Sequence, residues 1–282
     1  MQSSLRIFAF FAIFAILSTP LTLALILGRQ GDMGPTSTVF VPLYIYPDPG
    51  AWDPLYNVIR DYPQISFTVI VNPDSGPGSG PLPDEQYCLE VPNLTAFSNV
   101  RVLGYVATTY ADRDLQEVKS DIDVYANWPV EGDDDALAVH GIFFDETPQE
   151  YYDEAGDYFQ QLTDYVRGLS GFAPHNMVVH NPGVLPDSRY PPLADMTVLF
   201  ESTYDTFEER KDEVFQNFTG HDRAQVCCVI HSVPEDVTGE KLESLVKDAR
   251  TLANEVFVTH LSEGYYADFG TQWAEFVNLM AS

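Results

Sequence analysis

The sequence predicts a single (β/α)8 barrel, on three observations. Eight short apolar runs recur along the chain, helical patterns separate most of them, and the runs are continuously apolar rather than alternating. Continuous apolar runs suit strands buried on both faces, and strand–helix alternation is the way parallel strands are joined. Eight such units in 282 residues fit the ~250 residues of one barrel domain. A doubly wound open sheet is the competing arrangement.

The strands are expected in order. Val39–Tyr46 is β-branched and aromatic and stops at Pro47-Asp48-Pro49-Gly50. Ser66–Val71 stops at Asn72-Pro73, and Val100–Val106 follows. His140–Phe144 stops at Asp145-Glu146, Met177–His180 at Asn181-Pro182-Gly183, and Met196–Phe200 at Glu201. Ala224–Ile230 stops at His231, and Val256–Thr259 is the eighth. Helices are expected over Asp53–Arg60, Glu85–Phe97, Asp114–Trp128, Glu150–Leu169, Thr206–Phe218, Gly239–Ala253 and Tyr266–Met280. The fourth is the most amphipathic, with Tyr158, Leu162, Tyr165, Val166 and Leu169 on one face. Between the fifth and sixth strands the segment is too short and too proline-rich for a full helix.

Ahead of the barrel (39–282) the chain carries a signal and a linker (28–38). Arg6 is the one charge before a largely apolar run from Ile7 to Leu27. A weakly basic start and a long apolar stretch read as a secretory signal, with small residues allowing cleavage after Ala24. The run is also long enough for an uncleaved membrane anchor. Either reading places the barrel outside the cytosol, secreted or at the cell surface. The sequons Asn93-Leu94-Thr95 and Asn217-Phe218-Thr219 agree with export. Of three cysteines, at most one of the adjacent pair Cys227 and Cys228 could face Cys88, because neighbours on a strand point to opposite faces.

Forty-two acids against fourteen bases leave a net charge of −28. A protein that neutralises phosphates needs a basic footprint, so nucleic-acid binding is excluded as a function class, and so is attraction to anionic lipid. Neutral or cationic partners fit the surface. The glycines of 74–81 do not form a phosphate loop, since no Lys-Ser/Thr follows and prolines interrupt the amides. No histidine/cysteine cluster stands at metal-ligand spacing, so neither a metal nor a cofactor is expected.

The residues that end the strands carry the chemistry. In a barrel these ends converge on one mouth. Asp145, Glu146 and Glu201 supply carboxylates there, and two carboxylates on one mouth can serve as nucleophile and general acid/base in glycoside cleavage. Capping of the next helix is the competing role for the Asp145-Glu146 pair. Tyr44, Tyr46, Tyr105 and Tyr110 offer flat rings for sugar faces, with Asn72, Asn181 and His231 as polar contacts. Trp52 and Trp128 flank strand ends as well, with core packing as their competing role.

These motifs, in this order, resemble the spherulin-4-like family. The resemblance rests on Val41-Pro-Leu-Tyr-Ile-Tyr-Pro47 with Gly50-Ala-Trp52, Val69-Ile-Val-Asn-Pro73, Ser75-Gly-Pro-Gly78 and Gly104-Tyr-Val-Ala-Thr108. Gly141-Ile-Phe-Phe-Asp-Glu-Thr147, Asn181-Pro-Gly183 and Phe200-Glu201 continue it. It implies a (β/α)8 fold, with Asp145, Glu146 and Glu201 matching the family's active-site acids. It also implies endo-acting cleavage of α-1,4-linked N-acetylgalactosamine in a galactosaminogalactan-like polysaccharide. The expected mechanism is retention by double displacement, with Asp145 as nucleophile, Glu201 as acid/base and Glu146 orienting. A partly deacetylated, cationic amino-sugar polymer would suit the acidic surface. Two rivals stand beside this reading: a non-catalytic carbohydrate-binding wall protein on the same barrel, and a metal-dependent deacetylase or esterase.

Overall fold

A computed structural model describes residues 35–172 and 174–282. The expected 1–27 signal or anchor, and most of the 28–38 linker, lie outside the described residues.

Eight parallel strands close into a barrel in sequence order. They are β1 (Thr38–Leu43), β2 (Phe67–Val71), β3 (Val100–Ala107), β4 (Gly141–Asp145), β5 (Met177–His180), β6 (Met196–Thr203), β7 (Val226–His231) and β8 (Glu255–Val258). Pairing of Thr38 with Glu255 and of Val39 with Val256 closes the ring. Each run named above contains its strand to within a few residues, because an apolar, β-branched segment buried on both faces leaves few alternatives. Register slips between Val198 and Phe200 against β7. Such an irregularity re-aims side chains, and here it lies directly before Glu201.

Helices α1 (Asp53–Asp61), α2 (Glu85–Thr95), α3 (Leu115–Glu131) and α4 (Asp153–Gly168) follow the first four strands in turn. Asp84 and Asp114 cap α2 and α3 by accepting backbone N–H groups. Two further helices, α5 (Tyr204–Glu209) and α6 (Lys211–Phe218), share the place of the single helix expected over 206–218, with the break at Arg210. Next come α7 (Glu240–Leu252) and α8 (Trp273–Met280). The last begins seven residues later than expected, since 259–272 is a loop. As the prolines require, β5 and β6 are joined without an α-helix; a 3-10 turn at Pro191–Leu193 stands there.

The core is the barrel interior together with the strand–helix interface. Trp52 and Trp128 are fully buried in it, so both pack the core and neither reaches the mouth. Cys88, Cys227 and Cys228 are free thiols, and the last two are buried. Among the described residues no helix is long and apolar enough to cross a membrane.

Candidate active site

Asp145 is the last residue of β4, and Glu201 lies in the C-terminal half of β6. Asn181, one residue past β5, stands between them. Its amide nitrogen donates to Asp145 Oδ1 and to Glu201 Oε2, both at 2.8 Å. Two such bonds to one nitrogen keep those carboxylate oxygens within about 5.6 Å of each other. The amide itself is fixed by its neighbours. Asn181 Oδ1 accepts from Gly183 N, the Asn181 backbone N–H donates to Phe144 O, and Asn181 O accepts from Thr147 N. Gly183 has φ +67, a turn conformation that favours glycine. Its carbonyl accepts Glu201 N at 2.8 Å, which ties the second carboxylate to the same turn.

A tyrosine completes the hold on each acid. Tyr105 from β3 donates to Asp145 Oδ2 at 2.9 Å, and Tyr266 from the loop after β8 donates to Glu201 Oε1 at 2.6 Å. Tyr44 joins the two, meeting Tyr105 edge-on at 5.5 Å and Tyr266 at 5.3 Å between ring centroids. Burial and the adjacent carboxylates push the phenols of Tyr44, Tyr105 and Tyr266 upward, so all three keep their protons and Tyr105 and Tyr266 stay donors. Burial also pushes the Asp145 carboxyl above its ordinary range, against the lowering effect of its donors.

Glu146 is held through its backbone. Its carbonyl accepts from Tyr110 N at 2.7 Å and Thr108 Oγ1 at 3.0 Å. Its φ of +54 is unusual for a residue with a side chain. Thr109, Tyr110, Ala111 and Ser232 share that left-handed region, also at strand ends around the mouth. Backbone strain of this kind persists where the surroundings over-determine it, and it gathers at functional sites.

The other expected contacts divide. Tyr110 is exposed, and its carbonyl accepts from Tyr152 Oη. Tyr46 is exposed too, but its hydroxyl donates to Asp84 at the start of α2. Asn72 makes no hydrogen bond to the carboxylates; its Oδ1 accepts Gly76 N and so shapes the 74–81 loop. His231 stacks face to face on Tyr265 at 4.1 Å, with burial pulling its imidazole downward, and its Nδ1 pairs with Ser232 Oγ. It meets the carboxylates only through Tyr265 and Tyr266, whose rings are 4.4 Å apart. Those two tyrosines escaped the sequence reading, which placed Tyr266 in the last helix. The available signal was a Gly264-Tyr265-Tyr266 run soon after the eighth strand. Among the described residues no group of three or more histidines, cysteines and acids could hold a metal ion.

The family model for spherulation-specific family 4 matches residues 38–280. The chain belongs to that family. Spherulin-4 of Physarum polycephalum is 31% identical over 199 residues, which are 70% of this chain and 54% of that protein. The chain thus spans about half the length of this curated relative. Sph3 of Aspergillus clavatus, solved in complex with GalNAc, is 56% identical and superposes with a TM-score of 0.87, covering 89% of this chain and 99% of that one. A chitinase from Bacteroides thetaiotaomicron, 11% identical, shares the fold with a TM-score of 0.51 over 88% of this chain and 96% of its own. The architecture is a closed (β/α)8 barrel of spherulation-specific family 4, the fold it shares with Sph3.

Proposed function

We propose that this protein is an endo-acting glycoside hydrolase that cleaves α-1,4 linkages within an N-acetylgalactosamine-containing polysaccharide, with retention of configuration. The observation that carries the reading is the carboxylate pair bridged by one amide. Both oxygens are held 2.8 Å from one nitrogen, so they stand no more than about 5.6 Å apart, which admits the ~5–5.5 Å of retaining pairs and falls short of the ~6.5–9.5 Å an intervening water requires. GalNAc bound to the 56% identical relative supports the sugar class. The exposed ring of Tyr110 at the rim supports binding of a polymer rather than a small molecule. Export and action on a partly cationic wall polymer are part of the same proposal, resting on the apolar N-terminal run and the net charge of −28.

In the first assignment of roles, Asp145 is the nucleophile. Tyr105 and Asn181 hold both its oxygens as acceptors and aim the carboxylate across the mouth. Glu201 is the acid/base, and Glu146, which takes no side-chain hydrogen bond, orients the sugar. One observation favours the reverse: burial raises the Asp145 carboxyl, as a proton carrier requires. Azide rescue separates the two. The variant lacking the nucleophile yields a β-glycosyl azide from an α-linked substrate, whereas the variant lacking the acid/base yields the α-azide. The activity itself is tested by incubating galactosaminogalactan with the purified protein and measuring new reducing ends. Binding without turnover would instead support the wall-protein rival.

A further inference from the structure

A second cluster of polar groups lies at the end of the barrel opposite the mouth. A pocket of about 360 Å³ opens there across the starts of β2, β3 and β4. Ser66, Ser98, Asn99, Arg101 and His140 line it, together with His175 from just before β5. Sites for small ligands begin at ~300 Å³. The charge of this pocket runs against that of the protein. Fourteen lysines and arginines stand against forty-two acids in the whole chain, yet the lining holds an arginine and two histidines and no acid. An anion entering it meets donors and no opposing carboxylate.

Arg101 is the group that points to a ligand. Its side chain is 31% exposed, so water reaches only part of the guanidinium. Among the described residues its one hydrogen bond runs to Met177 Sδ, at 2.8 Å, and a thioether is a weak acceptor. Its ion-pair partner Glu255 is buried and 3.9 Å away, beyond hydrogen-bonding distance, and burial favours the neutral form of that carboxyl. The guanidinium thus keeps most of its five donors for another acceptor. His140 is set as a donor as well. Its Nδ1 accepts the Val102 N–H at 2.9 Å, which puts the ring proton on Nε2. His175 meets His140 edge-on, with 5.1 Å between ring centroids. Burial first, and then the neighbouring His175 and Arg101, push the His140 imidazole below its ordinary value, the last two as like charges that no acid in the lining offsets.

We infer that this pocket at the base of the barrel binds a phosphate group, free or carried on a small molecule, with Arg101, His140 and His175 as its principal donors. The planar fork of an arginine matches phosphate oxygens, and Ser66, Ser98 and Asn99 suit the remaining oxygens or an attached polar body. A cation would meet repulsion there, and a neutral sugar would leave the guanidinium unpaired. The inference stands apart from the hydrolase reading, because the pocket lies at the opposite end of the strands from the carboxylate pair.

The experiment is calorimetric titration of the full chain, in phosphate-free buffer, with inorganic phosphate, glucose 6-phosphate and glucose. Both phosphates should bind with a Kd of ~1 mM or tighter, and glucose should not bind. Tighter binding of glucose 6-phosphate than of inorganic phosphate would assign the site to a carried phosphate, and equal or weaker binding to the free ion. R101Q and H175A should each weaken the phosphates by about tenfold or more, the loss expected for one charge-assisted hydrogen bond, with melting temperatures confirming that both variants fold. Arg101 also faces the buried Glu255, so H175A, at an exposed position, is decisive if R101Q does not fold. In NMR spectra the imidazole signals of His140 and His175 should shift on binding, and those of the other four histidines should not. Absence of phosphate binding, parental affinity in H175A, or glucose binding as well as its phosphate would overturn the inference.

Discussion

Asn181 gives the sharpest perturbation. Its single amide nitrogen donates to both carboxylates, so Asn181→Ala removes one charge-assisted hydrogen bond from each at once. Hydrogen bonds to charged groups contribute ~1.5–3 kcal/mol each. Two carboxylates within about 5.6 Å of each other also repel by about 3 kcal/mol at an effective dielectric of ~20, and the amide dipole between them offsets part of that. Losing the donor favours the protonated form, so the Asp145 carboxyl should titrate higher still. At 1.36 kcal/mol per pH unit, a net loss of ~1.5–3 kcal/mol moves the acid limb of kcat/KM up by ~1–2 units. Burial already pushes the Asp145 carboxyl above its ordinary range. The second consequence is geometric. Tyr105 and Tyr266 remain, each holding one oxygen, and the carboxylates are free to drift apart; a fall in kcat of ~100-fold is expected, since small misplacements are costly. The assay is a pH–rate profile on a defined oligomer, with the melting temperature as a control for folding. Asn181→Asp keeps an acceptor for Gly183 N but puts a third acid within reach of the other two, and should be worse still near neutral pH. An Asn181→Ala enzyme with the parental acid limb and the parental kcat would refute the bridging role.

Three other outcomes are expected. Tyr266→Phe removes the donor 2.6 Å from Glu201 and leaves that carboxylate free to turn, so kcat should fall by ~10-fold or more with little change in KM, and a parental kcat would count against the role. Glu255 is fully buried in β8, 3.9 Å from Arg101, and burial pushes its carboxyl up to about 7. The folded chain therefore holds that proton more tightly than the unfolded one; the stabilisation is complete below about 4.5 and lost as pH rises through about 7. Glu255→Gln should melt several degrees above the parent at pH 8 and near it at pH 4.5, and a pH-independent difference would contradict the assignment. With a net charge of −28, kcat/KM on a partly deacetylated polymer should fall as salt rises while that on a neutral oligomer stays flat; equal responses would leave the acidic surface a role in solubility alone.

Much of this was legible in the sequence for physical reasons. A strand buried on both faces has to be apolar throughout, so all eight strands stood out, and prolines marked the one connection without a helix. Asp145, Asn181 and Glu201 were visible because polar residues directly after such runs must sit where strand ends meet water or one another. What joins them was hidden. A bridging amide is a relation between three strands, and no local pattern encodes it. Tyr266 was masked by its neighbours: the residues after it are compatible with a helix, which forms only from Trp273 because the intervening loop packs back onto Tyr44, whose N–H donates to Tyr266 O. Trp52 and Trp128 show the converse, as large rings near strand ends that pack inward. The split of α5 from α6 at Arg210 likewise has no proline or glycine to announce it.

The central claim is catalysis by the bridged pair. Its most direct test follows the anomeric proton signals by NMR as the protein digests a defined α-1,4-linked N-acetylgalactosamine oligomer, beside D145N and E201Q. The first-formed product should be the α-anomer, appearing before mutarotation, and both variants should lose turnover by several orders of magnitude with parental melting temperatures. A β-anomer formed first would contradict the retaining pair, and parental turnover in either variant would remove that carboxylate from the reaction.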